Sequence, residues 1–447
     1  MSFYSRPIIL LTLFDSIRHI FGFPCNEVIK IYYLYVAFII IIVWYILKDP
    51  KRDLFFISIL CSMVYFLPCF FGYVSISYRG SRIYEKIDYR LYFIHIIFMT
   101  LLIIFRNLKY KLPTVKLTAN KVIFDNKLLI FTLYVTWLVL FVGLLLLLKE
   151  NLLVDKTKLP RGFYSYYFTI YNLLLVYSVV ANYKSQRHRY IITQIPAILL
   201  TIIQGHRSYL VFILLAIIIN EFINNKRNLF KFKYIVVIVF TGIFGFLGKS
   251  IVATMRLGLS LRDSIIYIFN LENVTRNITH SEPFLTQYIL NKTITTDFTL
   301  GFGYISRYIL KAFFISPNKT TNIKSFYDAF VDNFFPDINY GIAYNIFSEP
   351  YAIAGLYGVI IFTIIYAVAI NILDMLLRSE DDIISSLALS MSSIYSFYIF
   401  RNSIENILLW SQILMIIFFF CFTLQIMKYK MKIRYIRYNS KSRDSVS

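Results

Sequence analysis

The chain is poor in charge and in cysteine for its length. Of its 447 residues 16% are charged and four are cysteine, and no cysteine falls in the polar segment 253–350. We therefore expect neither a disulfide framework nor a cysteine metal cluster. The chain also lacks an Asp-x-Asp pair, a Walker A or dinucleotide-binding glycine loop, and any His-x-x-Glu or Cys-x-x-Cys pattern. Metal-chelated nucleotide-sugar chemistry is therefore unsupported, and we expect no metal and no cofactor.

Long apolar runs fill most of the chain, in which 58% of residues are hydrophobic. A helix needs roughly 20 apolar residues to cross about 30 Å of hydrocarbon. Backbone groups in lipid must be satisfied within a segment, and the alternation of a β-barrel is absent. These runs predict an all-α polytopic membrane protein with about 11–12 transmembrane helices. The predicted spans are 28–47, 54–72, 89–105, 128–148, 164–181, 190–204, 208–223, 234–252, 351–377, 383–400 and 407–427, and 7–23 is an interfacial helix or a short extra span.

One long polar segment interrupts the apolar runs and sets the predicted organisation. Membrane helices occupy 1–252, a large extracytoplasmic loop occupies 253–350, and further membrane helices occupy 351–427. A basic cytoplasmic tail follows at 428–447.

The distribution of basic residues predicts which side each connection occupies. The connections 48–53, 106–127, 182–189, 224–233, 378–382 and the tail hold 24 Lys and Arg, against 8 in 73–88, 149–163 and 401–406. Cytoplasmic connections carry the excess of Lys and Arg, so the loop 253–350 is predicted to lie outside. The same rule accounts for the formal net charge of +22 without a nucleic-acid partner.

Arginines at the predicted membrane edges are candidates for function, because a charge there is costly. Arg207 follows Gly205 and His206 in a tight turn between two spans. The alternative is an arginine whose side chain snorkels to the interface. Several arginines on one face could hold a pyrophosphate through bidentate charge-assisted hydrogen bonds. The candidates are Arg207, Arg256 and Arg401 at the membrane edges, and Arg276 and Arg307 within the loop.

Glu349 and His280 are the two candidates for a general base. Glu349 precedes Pro350 at the predicted membrane edge and could accept a proton from a hydroxyl. It could equally be a carboxylate at the start of a helix, where the helix dipole favours it. His280 is the only histidine in the long loop. The residues alone do not choose between the two candidates.

The stretch Leu300–Ile315 within the loop is apolar and aromatic, with Arg307 and Lys311 inserted. Such a pattern predicts a helix that lies on or dips into the outer leaflet. The alternative is a surface helix that only packs on the rest of the loop.

Four short motifs follow one another along the second half of the chain. They are Gly205-His206-Arg207 at the start of a span, an arginine at the start of the loop, Ser348-Glu349-Pro350-Tyr351 with Gly355 and Gly358 after it, and Phe400-Arg401-Asn402 before the last span. Together with the topology, they resemble the bacterial O-antigen polymerase (Wzy) family of oligosaccharide repeat unit polymerases. The chain departs from that family in lacking evident Arg-x10-Gly loop repeats.

The resemblance implies a GT-C-like, metal-independent glycosyltransferase at the outer face of the bacterial inner membrane. Its substrates would be oligosaccharides linked to undecaprenyl pyrophosphate, and the growing glycan would move en bloc to the next unit. Implied partners are membrane lipid, a chain-length regulator (polysaccharide co-polymerase) and a repeat-unit flippase. The implied catalytic residues are Glu349, His280 and Arg207, and the implied substrate-binding residues are Arg207, Arg256, Arg276, Arg307, Tyr351 and Arg401.

Two other functions remain open at this stage. An O-antigen ligase shares the topology and a large outer loop with Arg and His, but transfers glycan to lipid A core. A lipid-linked oligosaccharide flippase, which is not an enzyme, would need charges along a central cavity and no long outer loop. The charges of this chain crowd on one predicted face, which favours chemistry at that face.

Overall fold

The computed structural model of the protein describes residues 29–48, 52–79, 81–109, 126–148, 163–203, 207–224, 260–270, 281–315, 323–337, 342–379 and 381–420, with 254, 258, 273, 423 and 427 as single residues. The predicted segments 7–23 and 234–252 lie outside these residues. The described part is mostly helical, as predicted.

The helices and strands follow one another along the chain in the order α1–α3, β1, β2 and α4–α15. Their bounds are α1 (Ile29–Lys48), α2 (Leu54–Tyr65), α3 (Pro68–Phe71), β1 (Tyr73–Tyr78), β2 (Ser81–Lys86), α4 (Tyr89–Lys109), α5 (Asn126–Leu148), α6 (Phe163–Lys184), α7 (His188–Ile203), α8 (Arg207–Ile219), α9 (Leu261–Phe269), α10 (Glu282–Thr295), α11 (Ile305–Ala312), α12 (Phe326–Phe334), α13 (Ser348–Leu377), α14 (Asp382–Phe397) and α15 (Ile404–Phe420).

Four helices of the described part are long and apolar enough to cross a membrane: α4, α5, α13, and α14 with the turn that follows it. The shorter apolar helices include α1, α2, α15 and the stretch Ser208–Asn224. Every predicted span that falls on described residues coincides with a helix. The predicted span 54–72 is divided, however. Helix α2 ends at Tyr65 and α3 begins at Pro68, because proline lacks the N–H that would continue the first helix.

A β-hairpin departs from the all-α prediction. The connection 73–88 folds into antiparallel strands β1 and β2, with Tyr73 opposite Lys86 and Tyr78 opposite Ser81. Strand β1 is rich in aromatic and β-branched residues, and its first four residues are buried. The hairpin packs on α10, where the rings of Tyr73 and Phe284 lie 5.4 Å apart. We missed this element because the connection is short and flanked by apolar runs.

Helix α13 carries a kink close to its start. Ala354 and Gly355 have non-helical backbone angles, and Gly355 adopts φ 57°, which a residue with a side chain adopts rarely. A Cβ atom at Gly358 would clash with the backbone carbonyl of Pro350. The two glycines therefore allow the first turn of α13 to fold back against the rest of the helix.

The chain divides into two compact units, each built from separate segments. The first comprises Met1–Pro113, Lys226–Ile372 and Ile394–Leu408, and the second comprises Thr114–Asn225, Leu373–Ser393 and Leu409–Ser447. In the second unit, polar side chains join apolar helices: Gln194 donates to Ser178 at 2.8 Å, and Thr201 donates to Asn172 at 3.0 Å. Such interhelical hydrogen bonds are common where helices pack in a bilayer.

The first unit has two distinct ends, which are defined by contacts between its helices. At the end we call the Asp53 end, Arg106 of α4 pairs with Asp53 at the start of α2, Nε to Oδ2 2.8 Å. At the opposite end, the hairpin end, Tyr32 of α1 donates to the carbonyl of Phe70 at 3.0 Å. The hairpin, α10–α12 and the starts of α4, α13 and α15 lie at the hairpin end.

Candidate functional site

The start of α13 places Glu349 in a cluster of neutral hydrogen-bond donors, which we call the Glu349 cluster. Tyr344 donates to Oε1 at 2.7 Å, and Tyr308 donates to Oε2 at 2.8 Å. The backbone N–H of Ile404, at the start of α15, donates to Oε2 at 3.2 Å. Glu349 is 0% exposed, and no described cation lies within ion-pair distance of it. Among the residues that the structure describes, the carboxyl group is therefore held only by neutral donors, which is uncommon for a buried acid.

The local sequence explains how Glu349 reaches this position. Asn345 Oδ1 accepts from the backbone N–H of Phe347, and the N–H of Ser348 donates to the Asn345 carbonyl. This turn ends in Pro350, a residue that suits the first positions of a helix. Glu349 thus lies in the first turn of α13, as its interpretation as a helix-start carboxylate predicted. It also meets the first turn of α15 and the side chain of Tyr308, which that interpretation did not predict.

Burial keeps the surrounding phenols protonated. The pKa of Tyr344 and that of Tyr308 are raised well above the usual value, first by burial and then by the nearby Glu349 carboxylate. The pKa of Tyr304 is raised by the same two causes in the same order. All three hydroxyls therefore remain protonated at physiological pH, and Tyr308 and Tyr344 remain donors to Glu349.

A partly buried ion pair lies beside the Glu349 cluster. Arg307 precedes Tyr308 on α11, and Glu405 follows Ile404 on α15. The Arg307 guanidinium donates from Nε to Glu405 Oε1 at 2.7 Å and from Nη2 to Oε2 at 3.2 Å. It also donates to the carbonyl of Ile323. The Arg307 side chain is only 1% exposed, so an incoming anion would have to displace Glu405 to reach it.

Arg401, another predicted anion-binding residue, pairs with a different helix. Its Nε lies 2.8 Å from Glu282 Oε1, in the first turn of α10. Its guanidinium also stands 4.7 Å from the centre of the Tyr398 ring. Both members of the pair are about one quarter exposed, with side-chain exposures of 26% and 28%. This arginine is therefore accessible from solvent, unlike Arg307.

Arg90 is a further arginine of the hairpin end that the sequence reasoning did not single out. It opens α4 and donates to Asp88 at 3.0 Å and to Asp297 at 3.1 Å. A third contact runs from Nη1 to the hydroxyl of Tyr351 at 3.3 Å, which gives the predicted binding residue Tyr351 a cationic neighbour. The signal that would have found Arg90 is its place directly before an apolar run, at the same membrane edge as the other candidates.

The structure describes the remaining predicted site residues only in part. Arg256, Arg276 and His280 lie outside the described residues, so their positions remain predictions. Arg207 begins α8 in the second unit, and its side chain lies outside what the structure describes. Four predicted residues of the loop and its flanks, Glu349, Arg307, Arg401 and Tyr351, are brought to the hairpin end. Among described residues, no group of three or more His, Cys, Asp or Glu could hold a metal.

No protein-family model, no curated protein and no solved structure matches the chain.

Proposed function

We propose that this protein is a surface-polysaccharide polymerase. It joins undecaprenyl-pyrophosphate-linked oligosaccharide repeat units at the outer face of a bacterial inner membrane. The observation that carries the proposal is the Glu349 cluster, in which a buried carboxyl group is bonded, within the described part of the chain, only to neutral donors. The cluster lies at the end of an apolar helix long enough to cross a membrane. Such a position suits a reaction between two substrates that both remain anchored in the bilayer.

In this proposal Glu349 acts as the general base. The hydroxyl of the acceptor sugar takes the place of the Tyr308 hydroxyl, because both are neutral O–H donors to the same carboxylate oxygen. As the acceptor oxygen attacks the anomeric carbon of the donor glycan, its proton passes to Glu349. The bond from that carbon to the pyrophosphate oxygen breaks, and undecaprenyl pyrophosphate leaves with the bonding electrons. The donor is already activated, so neither a nucleotide nor ATP is required.

Arginines of the same end stabilise the departing pyrophosphate. Arg401 and Arg90 suit this role, because each is partly exposed and faces a carboxylate that an anion could replace. A guanidinium binds phosphate oxygens through two parallel donors and needs no metal. Arg307 is better placed to fix α11 against α15. Arg207, Arg256 and Arg276 stay predictions for the same role.

A substitution at Glu349 tests the assignment. Lipid-linked repeat units would be prepared from cells that lack this protein and supplied to the purified protein in liposomes, with chelator and without nucleotide. We expect the wild type to make long glycan and release undecaprenyl pyrophosphate. Glu349→Gln keeps the size and most hydrogen bonds but removes the base, so the rate should fall by about 100-fold or more. Glycan length on gels and released lipid are the measurements.

Matched variants separate the outcomes. Asp337→Asn alters an exposed acid of the same end, which pairs with Arg79 at the surface and has no part in proton transfer, and it should retain far more activity than Glu349→Gln. His280→Ala tests the alternative base. Full activity of both Glu349→Gln and His280→Ala would remove the base assignment.

The same liposomes distinguish the rival functions. Wild-type protein that moves lipid-linked sugar across the bilayer without lengthening it would be a flippase. Protein that transfers glycan only when lipid A core is supplied would be a ligase. In cells, the polymerase would work with a chain-length regulator and a repeat-unit flippase, and would face the periplasm or the outside.

A further inference from the structure

The segment 302–315, which contains α11, turns its polar side inward and its apolar side outward. Tyr304 and Arg307 are each 1% exposed, and Tyr308 reaches Glu349 on the same inner face. The outer face is formed by large apolar side chains, with Phe302 72% exposed and Phe313 73% exposed. A helix that packs on a water-soluble surface shows the opposite arrangement. The interpretation of α11 as a helix that only packs on the loop leaves this outer face without an explanation.

The outer face of the segment 302–315 carries six large apolar side chains. Beyond its two most exposed phenylalanines it includes the side chains of Ile305, Ile309, Phe314 and Ile315, which are 41%, 55%, 64% and 42% exposed. Isolated exposed apolar residues are ordinary on a protein surface, but a contiguous apolar patch usually marks an interface. The patch therefore calls for an apolar partner.

The position of the segment indicates what the partner is. The N–H of Leu300 donates to the carbonyl of Ala352 at 2.8 Å, and Tyr308 donates to Glu349. Both acceptors lie in the first turns of α13, so the segment around α11 is held against the start of that helix. Helix α13 is long and apolar enough to cross a membrane, and its exposed side chains include Tyr357 at 78% and Ile361 at 58%. The apolar face of α11 therefore lies next to the end of a helix whose exposed face is itself suited to lipid.

We propose that residues 302–315 lie in the interfacial layer of the bilayer, with the outer face of α11 in contact with lipid acyl chains. The ligand is the lipid surface itself. Aromatic and aliphatic side chains on one face and anchored polar side chains on the other are the arrangement of an interfacial helix. Because Arg307 and Tyr308 belong to this helix, lipid contact fixes the depth of the Glu405 and Glu349 carboxyl groups that they hold. This inference requires a membrane protein but does not depend on the proposed reaction.

Spin labels on full-length protein in phospholipid bilayers test the inference. Phe313→Cys and Ile309→Cys would each be made in a variant whose four native cysteines are alanine, and the label's collisions with oxygen and with a water-soluble nickel chelate would be compared. Oxygen concentrates in lipid, whereas the chelate stays in water. Asn333→Cys on α12 is the matched control, because Asn333 is an exposed polar residue of the same loop. Gel filtration of each labelled protein checks that it is folded.

We expect labels at 309 and 313 to favour oxygen over the chelate by several-fold relative to the label at 333. Chelate access equal to that at 333 would show that the face meets water and would overturn the proposal. Low access to both reagents at 309 and 313 would show that protein covers the face, for example a second copy of the chain, and would overturn it as well. Polymerase activity does not enter the readout, so failure here and failure of the proposed function are separate results.

Discussion

The two ends of the first unit hold their buried acids in different ways. At the Asp53 end, the carboxylate of Asp53 meets the guanidinium of Arg106, and both side chains are 0% exposed. Asp53 also accepts from the N–H of Phe56 and thereby caps α2. At the hairpin end, Glu349 is equally buried but bonds to two phenols and one backbone N–H. The Asp53 carboxylate is paired with a cation, whereas the Glu349 carboxyl group accepts hydrogen bonds from neutral donors.

This difference indicates which end is structural and which is suited to chemistry. Removing one member of a dry ion pair leaves an uncompensated charge, so the Asp53–Arg106 pair is difficult to alter without loss of the fold. In the proposed reaction a sugar hydroxyl takes the place of a phenol in the Glu349 cluster, because one hydroxyl donor replaces another. The accessible arginines Arg90 and Arg401 also lie at the hairpin end.

The largest expected effect concerns the side of the membrane on which each end of the first unit lies. Asn333→Cys at the hairpin end and Lys48→Cys at the Asp53 end would each be placed in the cysteine-free variant. A membrane-impermeant thiol reagent should label position 333 in intact spheroplasts and position 48 only after lysis, because the basic connections stay in the cytoplasm. Mass spectrometry of the purified protein reads the labelling. The reverse pattern would place the Glu349 cluster in the cytoplasm and end the polymerase proposal.

The second effect concerns the Asp53 end. Arg106→Leu leaves the Asp53 carboxylate buried without its cation and should destabilise the protein by about 3–5 kcal/mol. The measurement is the thermal unfolding of protein purified in detergent. Adding Asp53→Asn removes the charge and keeps an N-capping side chain, so the double variant should recover part of the loss. Arg79→Ala, which breaks an exposed pair with Asp337, is the control and should leave the midpoint unchanged. An Arg106→Leu protein as stable as the wild type would contradict the structural role of the pair.

The smallest effect separates the two phenols of the Glu349 cluster. Tyr344→Phe removes a fixed donor to Glu349, a bond to a charged group worth about 1.5–3 kcal/mol, and should lower the polymerisation rate by about 10-fold. Tyr308→Phe removes the donor that the acceptor hydroxyl replaces, and its rate should remain near that of the wild type. Initial rates in the liposome assay measure both. Equal losses in the two variants would mean that Tyr308 does not hold the place of a substrate hydroxyl.

The sequence determined the helices and the residues worth testing. An apolar run of span length folds as a helix in lipid, so α4, α5 and α13 could be predicted from the runs 89–105, 128–148 and 351–377. The observed helices are Tyr89–Lys109, Asn126–Leu148 and Ser348–Leu377. Charges at the ends of such runs are costly, and this singled out Glu349 and Arg401, while Arg307 was a candidate as an arginine of the loop 253–350. The helices and the candidate residues could both be predicted because each depends only on residues that are close in the sequence.

The tertiary structure decided the partners of those residues. Arg307 pairs with Glu405, 98 residues away, and Tyr308 meets Glu349 from 41 residues away. The local sequence around these residues does not indicate which partner each of them will meet. Only the packing of α11 against α13 and α15 brings them within hydrogen-bond distance. The tertiary structure also decided that the polar face of α11 points toward the protein interior. Amphipathic spacing predicts two faces, and the position of the buried acids decides which one faces the protein.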